Sequence, residues 1–222
     1  MVRSNELARK SVLDKGFVAV EDYFGSDLTV VNAARVSYAD RITDIGGKDV
    51  RFIHDLAKNR HFSTFRHCGI TFRIKAPLMV ARQWWRYSVS SAHREEQFGW
   101  NEVSRRYTDG DYEFYYPENL DDIQKEDLEK AYSHGLRWYN RLRGSGLKPE
   151  VARLALPAYG IYTEWLWTTS LQGLTHFLKE RLDGGAQEEI YQYAGTVYEL
   201  SMGLFPHSIS ALVGFRGEEF LF

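Results

Sequence analysis

The chain changes its period once between His67 and Tyr87, and no other feature constrains the fold as much. HCGITFRIKA alternates apolar and polar residues, the period-two pattern of a strand with one buried face. PLMVARQWWRY follows without a break and reads as a helix, with Pro77 placed at its first position, where a missing N–H costs nothing. On that helix Arg82 and Arg86 stand four apart and Gln83 and Arg86 three apart, so these polar groups share a face.

The remaining segments repeat the mixture. GFVAVEDYF alternates as a strand, and LTVVNAARVSYA reads as a helix capped by Ser26 or Asp27. KDVRFIHDLAKNR is a second amphipathic helix, YEFYYP a short strand ended by Pro117, and DDIQKEDLEKAYSHGLRWYNRLR a long charged helix ending near Gly144 and Gly146. Pro149 opens a short helix, PEVARLAL, which Pro157 stops. IYTEWLWTTS is aromatic and β-branched enough for a strand, though its periodicity also admits a helix. SLQGLTHFLKERL is helical as far as Asp183-Gly184-Gly185, and AQEEIYQYAGTVYELSMGLF continues as a long helix. Strands and helices without regular βαβ alternation point to an α+β fold. No repeat or linker interrupts the chain, so residues 1–222 are expected to form one domain.

A formal net charge of −2 argues against a general polyanion binder, and nucleic acid is not expected as a partner. MVRSNELARK lacks the apolar core of a signal peptide, and no apolar run reaches the roughly 18 residues needed to cross a bilayer. A soluble, cytoplasmic protein without membrane association is the expectation. Cys68 is the only cysteine, so neither a disulfide framework nor a thiolate metal cage can form within the chain. It lies in an alternating apolar strand with no neighbouring base to lower its pKa, and reads as a packing residue. The histidines never form HxxxH or HxH, no metal site is expected, and no GxGxxG or P-loop pattern appears.

NEVSRRY, from Asn101 to Tyr107, places an acid, a hydroxyl and two arginines in one short span. Arg86, Arg105, Arg106, Arg153 and Arg181 all fall at the edges of separate elements, where folds assemble ligand sites. Guanidinium donates two parallel hydrogen bonds to phosphate, each charge-assisted contact adding about 1.5–3 kcal/mol, so converging arginines would grip a small phosphorylated molecule. Spacing alone does not show convergence.

HFSTFRHCGITFRIKAPLMVARQWWRY, NEVSRRYTDGDYEFYYP, and VARLALP followed by YTEWLWTTSLQGLTHFLKERLDGGAQEEIYQYA together resemble the flavin-dependent thymidylate synthases, from NAARVSYA to the last long helix. The resemblance implies an α+β fold with a central, largely antiparallel sheet flanked by helices. It also implies a homotetramer with FAD and nucleotide sites between subunits, and transfer of a methylene group from methylenetetrahydrofolate to carbon 5 of dUMP, with NADPH reducing the FAD. By position, Gln83, Arg86, Glu102, Ser104, Arg105, Arg106, Arg153 and Arg181 match the family's nucleotide contacts. His61, Ser63, Arg86, Tyr87, Ser88, Glu102, Ser170, Leu171, Gln172 and His176 fall at flavin-contact positions. Arg181 takes the catalytic role, favouring the ionised pyrimidine while a reduced flavin makes a protein nucleophile unnecessary.

The chain departs from the family pattern mainly on the flavin side. Of the usual RHR triplet only Arg86 stands in place, with Tyr87 and Ser88 replacing the histidine and second arginine; His93-Arg94 offers a shifted register in a longer loop. Gly99 stands where a serine, His176 where an asparagine and Gly185 where a histidine is common. Three readings follow: dUMP methylation with a remodelled cofactor edge, methylation of the ribonucleotide UMP (or both) as in nucleoside-antibiotic synthesis, and a uridine-nucleotide-binding module that has lost flavin chemistry.

Overall fold

The computed structural model describes residues 7–87, 100–102 and 112–214. Its frame is a five-stranded sheet in which every neighbouring pair is antiparallel: β1 (Ala8–Val12), β2 (Gly16–Phe24), β3 (Gly69–Pro77), β5 (Tyr162–Ser170) and β4 (Trp100–Glu102), in that spatial order. The α+β expectation and the antiparallel sheet are both met, and IYTEWLWTTS is the strand β5 rather than a helix.

Alternation decides which face is buried. Val18 and Val20 of β2, Ile70, Phe72 and Ile74 of β3, and Trp165 and Trp167 of β5 point to one side and are almost completely buried. That side is covered by α2 (Gly47–Lys58), α6 (Leu171–Arg181), α7 (Glu188–Leu204) and α8 (Pro206–Val213), which share one apolar cluster with the sheet. The opposite face is polar: Thr71 meets Thr168 at 2.9 Å, Arg73 pairs with Glu164 and Glu21, and Lys75 with Glu113. A register shift between Val20 and Asp22 leaves Glu21 outside the ladder.

One open local reading is decided and three change. Ser26, not Asp27, caps α1 (Asp27–Arg35) through a capping box with Thr29, which frees the buried Asp27 carboxylate to accept from the His207 and Ser208 amides at the start of α8. LTVVNAARVSYA is not one helix: α1 gives way to a 3-10 turn, Val36–Tyr38, closed by Ala39 at φ 52°. Pro77 is the last residue of β3 and the N-cap of α3 (Leu78–Trp84), not its first helical residue. Its φ of −60° suits either state; pairing with Tyr162 holds ψ at 147° and keeps it extended. YEFYYP forms no strand, only an isolated bridge between Phe114 and Ile161, because its rings pack on the long helix α4 (Asp122–Gly144), Phe114 stacking on Tyr132 at 4.3 Å. The short α5 (Pro149–Ala152) continues as a 3-10 turn, Arg153–Ala155. No helix among the described residues is long and apolar enough to cross a membrane.

Candidate active site

Trp84 positions the site. Its ring is fully buried, stacked on Phe177 at 4.5 Å and set edge-on to Trp165 and Trp167 at 5.5 and 5.4 Å, which pins α3 against α6 and the sheet. With Trp84 turned inward, its neighbour Gln83 is left half-buried and Arg86 exposed. On α6 the residues Leu171, Leu174, Phe177 and Leu178 fill the core, leaving Gln172 and His176 on the outer side, with Arg181 in the last turn.

These two helices meet at Arg181. Its Nη2 donates to the Gln83 carbonyl at 3.3 Å, and its Cζ lies 5.2 Å from the centre of the Tyr87 ring. Tyr87 in turn contacts His176 at 5.2 Å and Phe177 at 5.4 Å. Burial pushes the Tyr87 hydroxyl above its ordinary pKa, while the charges of Arg181 and Arg86 pull the other way. The half-buried Arg181 keeps one donor unused: Nε is shielded from solvent and has no hydrogen-bond partner among the described residues. Gln83, Tyr87, His176 and Arg181, named from sequence, thus share one surface, with Arg86 beside them.

Two residues that sequence reasoning missed hold Gln83. Its Nε2 donates to Gln187 Oε1 at 2.6 Å and, at 3.4 Å, to the Met79 carbonyl; Gln187 Nε2 donates to Glu189 at 2.7 Å. Gln187 stands just before α7 as its N-cap residue, not inside the helix as the pattern AQEEIYQYAG suggests.

On the other side, His61, at the cap of a 3-10 turn, Phe62–His67, and Ser63 within it are exposed, and the turn packs against α6. They line a cleft of about 330 Å³ together with Tyr38, Phe52, Asp55 and Asn59. Ser170 and Leu171 are completely buried: the Ser170 hydroxyl accepts from the Gly173 amide as the cap of α6, and the Leu171 amide is bound to the Cys68 carbonyl at 3.1 Å. Of that segment Gln172 is the one with spare capacity, since its buried Oε1 has no partner among the described residues.

Glu102 and Arg153 do not join the Arg181 surface within this chain. Glu102 accepts from Thr163 at 2.7 Å at the sheet edge, on the face that carries Trp165; Arg153 is exposed and its Nε donates to the Glu150 carbonyl at 3.2 Å. Ser88, Ser104, Arg105 and Arg106, with His93 and Arg94, lie outside the described residues. Cys68 is fully buried, its Sγ 3.5 Å from the Ser26 carbonyl, and desolvation pushes the thiol up to about 11.

Residues 19–207 match the family model described as Thy1, thymidylate synthase complementing protein. A flavin-dependent thymidylate synthase from Thermotoga neapolitana is 38% identical over 210 residues, which cover 91% of this chain and 93% of that protein. One from Ehrlichia ruminantium is 37% identical over 224 residues, 91% of this chain and 72% of that one. Among solved structures, the UMP/dUMP methylase PolB from Streptomyces cacaoi, bound with 5-Br dUMP, superposes with a TM-score of 0.77 at 27% identity and covers 92% of this chain and 97% of its own. The same methylase bound with 5-Br UMP gives 0.75 at 27% identity, covering 94% and 98%. The chain belongs to the flavin-dependent thymidylate synthase family. It is an enzyme of that methyltransferase type.

Proposed function

We propose that the protein methylates carbon 5 of a uridine mononucleotide, dUMP to dTMP, with FAD as its cofactor, methylenetetrahydrofolate as carbon donor and NADPH as reductant. The observation that carries this reading is the state of Cys68. Carbon 5 of uracil is a poor nucleophile, and a thiolate adding at carbon 6 is one way to activate it. The single thiol of this chain is fully buried in the core, out of a substrate's reach, and desolvation pushes it up to about 11, so it is poorly suited to that work. Activation then falls to electrostatics, for which Arg181 is the group in place.

Arg181 would stabilise negative charge on the pyrimidine through its unused, shielded Nε, a charge-assisted donor held ready by Tyr87 and the Gln83 carbonyl. Because the guanidinium is already ordered by these contacts, little reorganisation accompanies the reaction. When bound, FAD supplies the reducing equivalent that turns the transferred methylene into a methyl group. The residues present suit such a group: the orphaned Gln172 acceptor fits a flavin N–H or ribityl hydroxyl, and His61 and Ser63 stand exposed beside a cleft. Arg86, Glu102, Ser104, Arg105, Arg106 and Arg153 would complete the phosphate and sugar contacts. Glu102 and Arg153 make no contact with Arg181 among the described residues, which is compatible with sites shared between subunits of a homotetramer.

A second substrate reading has its own support, since PolB is known with both the deoxyribo- and the ribonucleotide analogue. Here UMP would be accepted as well. Assaying purified enzyme on dUMP and on UMP with methylenetetrahydrofolate and NADPH separates the two: methylation of dUMP alone removes the ribonucleotide reading. A colourless preparation that cannot be loaded with FAD and methylates neither would reject the enzyme assignment.

A further inference from the structure

Gln83 is held by a chain of hydrogen bonds whose direction is fixed at its far end. A carboxylate only accepts, so Glu189 obliges Gln187 to approach it with Nε2, the donor end of the amide. The other carboxylate oxygen of Glu189 is occupied by the Tyr115 hydroxyl, which donates at 3.3 Å. With its Nε2 committed, Gln187 turns Oε1 toward Gln83, and the Gln83 amide must answer with its own Nε2 at 2.6 Å. The second Nε2 proton points to the Met79 carbonyl at 3.4 Å. What remains for a ligand is Gln83 Oε1, which makes no hydrogen bond among the described residues. An amide free to turn would offer a donor or an acceptor with equal ease; this one offers an acceptor.

We propose that Gln187 and Glu189 are positioning residues that fix the polarity of Gln83, so that Gln83 selects an N–H or O–H donor on the nucleotide. The inference rests on the uridine-nucleotide reading of the site and names its selectivity: the ring N3–H or a sugar hydroxyl, not a bare phosphate oxygen. Its location is set by the Gln83 carbonyl, which receives Arg181 Nη2. A buried or constrained amide with one fixed end rejects a ligand lacking the matching partner, because its own polar atom is then left unpaired.

Gln187 is exposed and its side chain makes no cap bond to α7, so its removal takes nothing from the core. The test is equilibrium titration of FAD-loaded enzyme with dUMP, N3-methyl-dUMP and 2′,3′-dideoxyuridine monophosphate, comparing wild type with Gln187→Ala, Glu189→Gln and Glu189→Asp. In Gln187→Ala the Kd for dUMP should rise about fivefold, the loss of one neutral hydrogen bond. KM for the nucleotide should rise with it and the thermal midpoint should not move. One analogue should bind the wild type about fivefold more weakly than dUMP and lose that handicap in Gln187→Ala, which identifies the donor as ring N–H or sugar hydroxyl. Glu189→Gln, whose amide presents either end, should lie between, and Glu189→Asp should restore wild-type selectivity. Equal analogue handicaps in wild type and Gln187→Ala, or an unchanged dUMP affinity, would overturn the relay. Failure of the wild type to bind dUMP at all is a different result and removes the nucleotide reading together with it.

Discussion

The Arg181 surface is built on α3 and α6, the His61 cleft on α1, α2 and the 3-10 turn that packs against α6, and they are finished to different degrees. At the first, Arg181, Tyr87, Gln83, Gln187 and Glu189 contact one another in sequence, over a floor of interlocked aromatic rings. At the second, His61 and Ser63 are exposed around open space, and Gln172, on the helix against which their turn packs, keeps a buried acceptor without a partner among the described residues. The difference teaches where ordering energy is invested. If Arg181 stabilises developing charge as proposed, its order before any ligand arrives is what makes such electrostatic catalysis effective.

The largest effect expected is on the shared floor. Trp84→Ala should cost about 3–5 kcal/mol of stability, read by denaturant unfolding, because it removes the ring that joins α3, α6 and the sheet. Next, Arg181→Ala should lower kcat about a hundred- to a thousandfold while nucleotide still binds; unchanged turnover in FAD-loaded protein would reject its role. Mixing that variant with Arg153→Ala and reassembling the subunits should recover turnover, whereas two variants that stay inactive together place both arginines in one chain's site. Tyr87→Leu should lower kcat several-fold by releasing the guanidinium, and Tyr87→Phe should restore it, since the ring and not the hydroxyl faces Arg181. Ser63→Ala should weaken flavin about fivefold in an apoprotein titration and leave nucleotide affinity alone; an equal loss of both would erase the contrast between the regions.

Stability should also fall in alkali. The Cys68 thiol is pushed up to about 11 by burial, and burial likewise raises Tyr162 and Tyr193. A folded-state pKa above the unfolded one contributes stability that is intact below the ordinary thiol range and disappears as pH rises towards 11. The midpoint of thermal unfolding should decline over that window, and by less in Cys68→Ala; equal declines would show that the thiol stays out of the titration.

Much of this was readable where period and punctuation agree. The switch from β3 to α3 is written in the change from alternation to helix, and the end of α6 in Asp183-Gly184-Gly185. β1 escaped because ARKSV buries only Val12 and so carries no alternation, and α8 because eight residues beginning at Pro206 give too short a pattern. YEFYYP misled because aromatic density favours a strand and a ring cluster alike. At the site, motif position found Gln83, Tyr87, His176 and Arg181, but not their meeting, which depends on Trp84 packing between two distant segments. Gln187 and Glu189 left no local signal, since the direction of a hydrogen bond between side chains 104 residues apart exists only in three dimensions.

The most direct measurement is the rate at which FAD-loaded Cys68→Ala converts dUMP to dTMP with methylenetetrahydrofolate and NADPH. If uracil is activated by Arg181 and reduced flavin, removing the chain's one thiol leaves that rate near wild type. A folded, flavin-bound, dUMP-binding variant that makes no dTMP would contradict it.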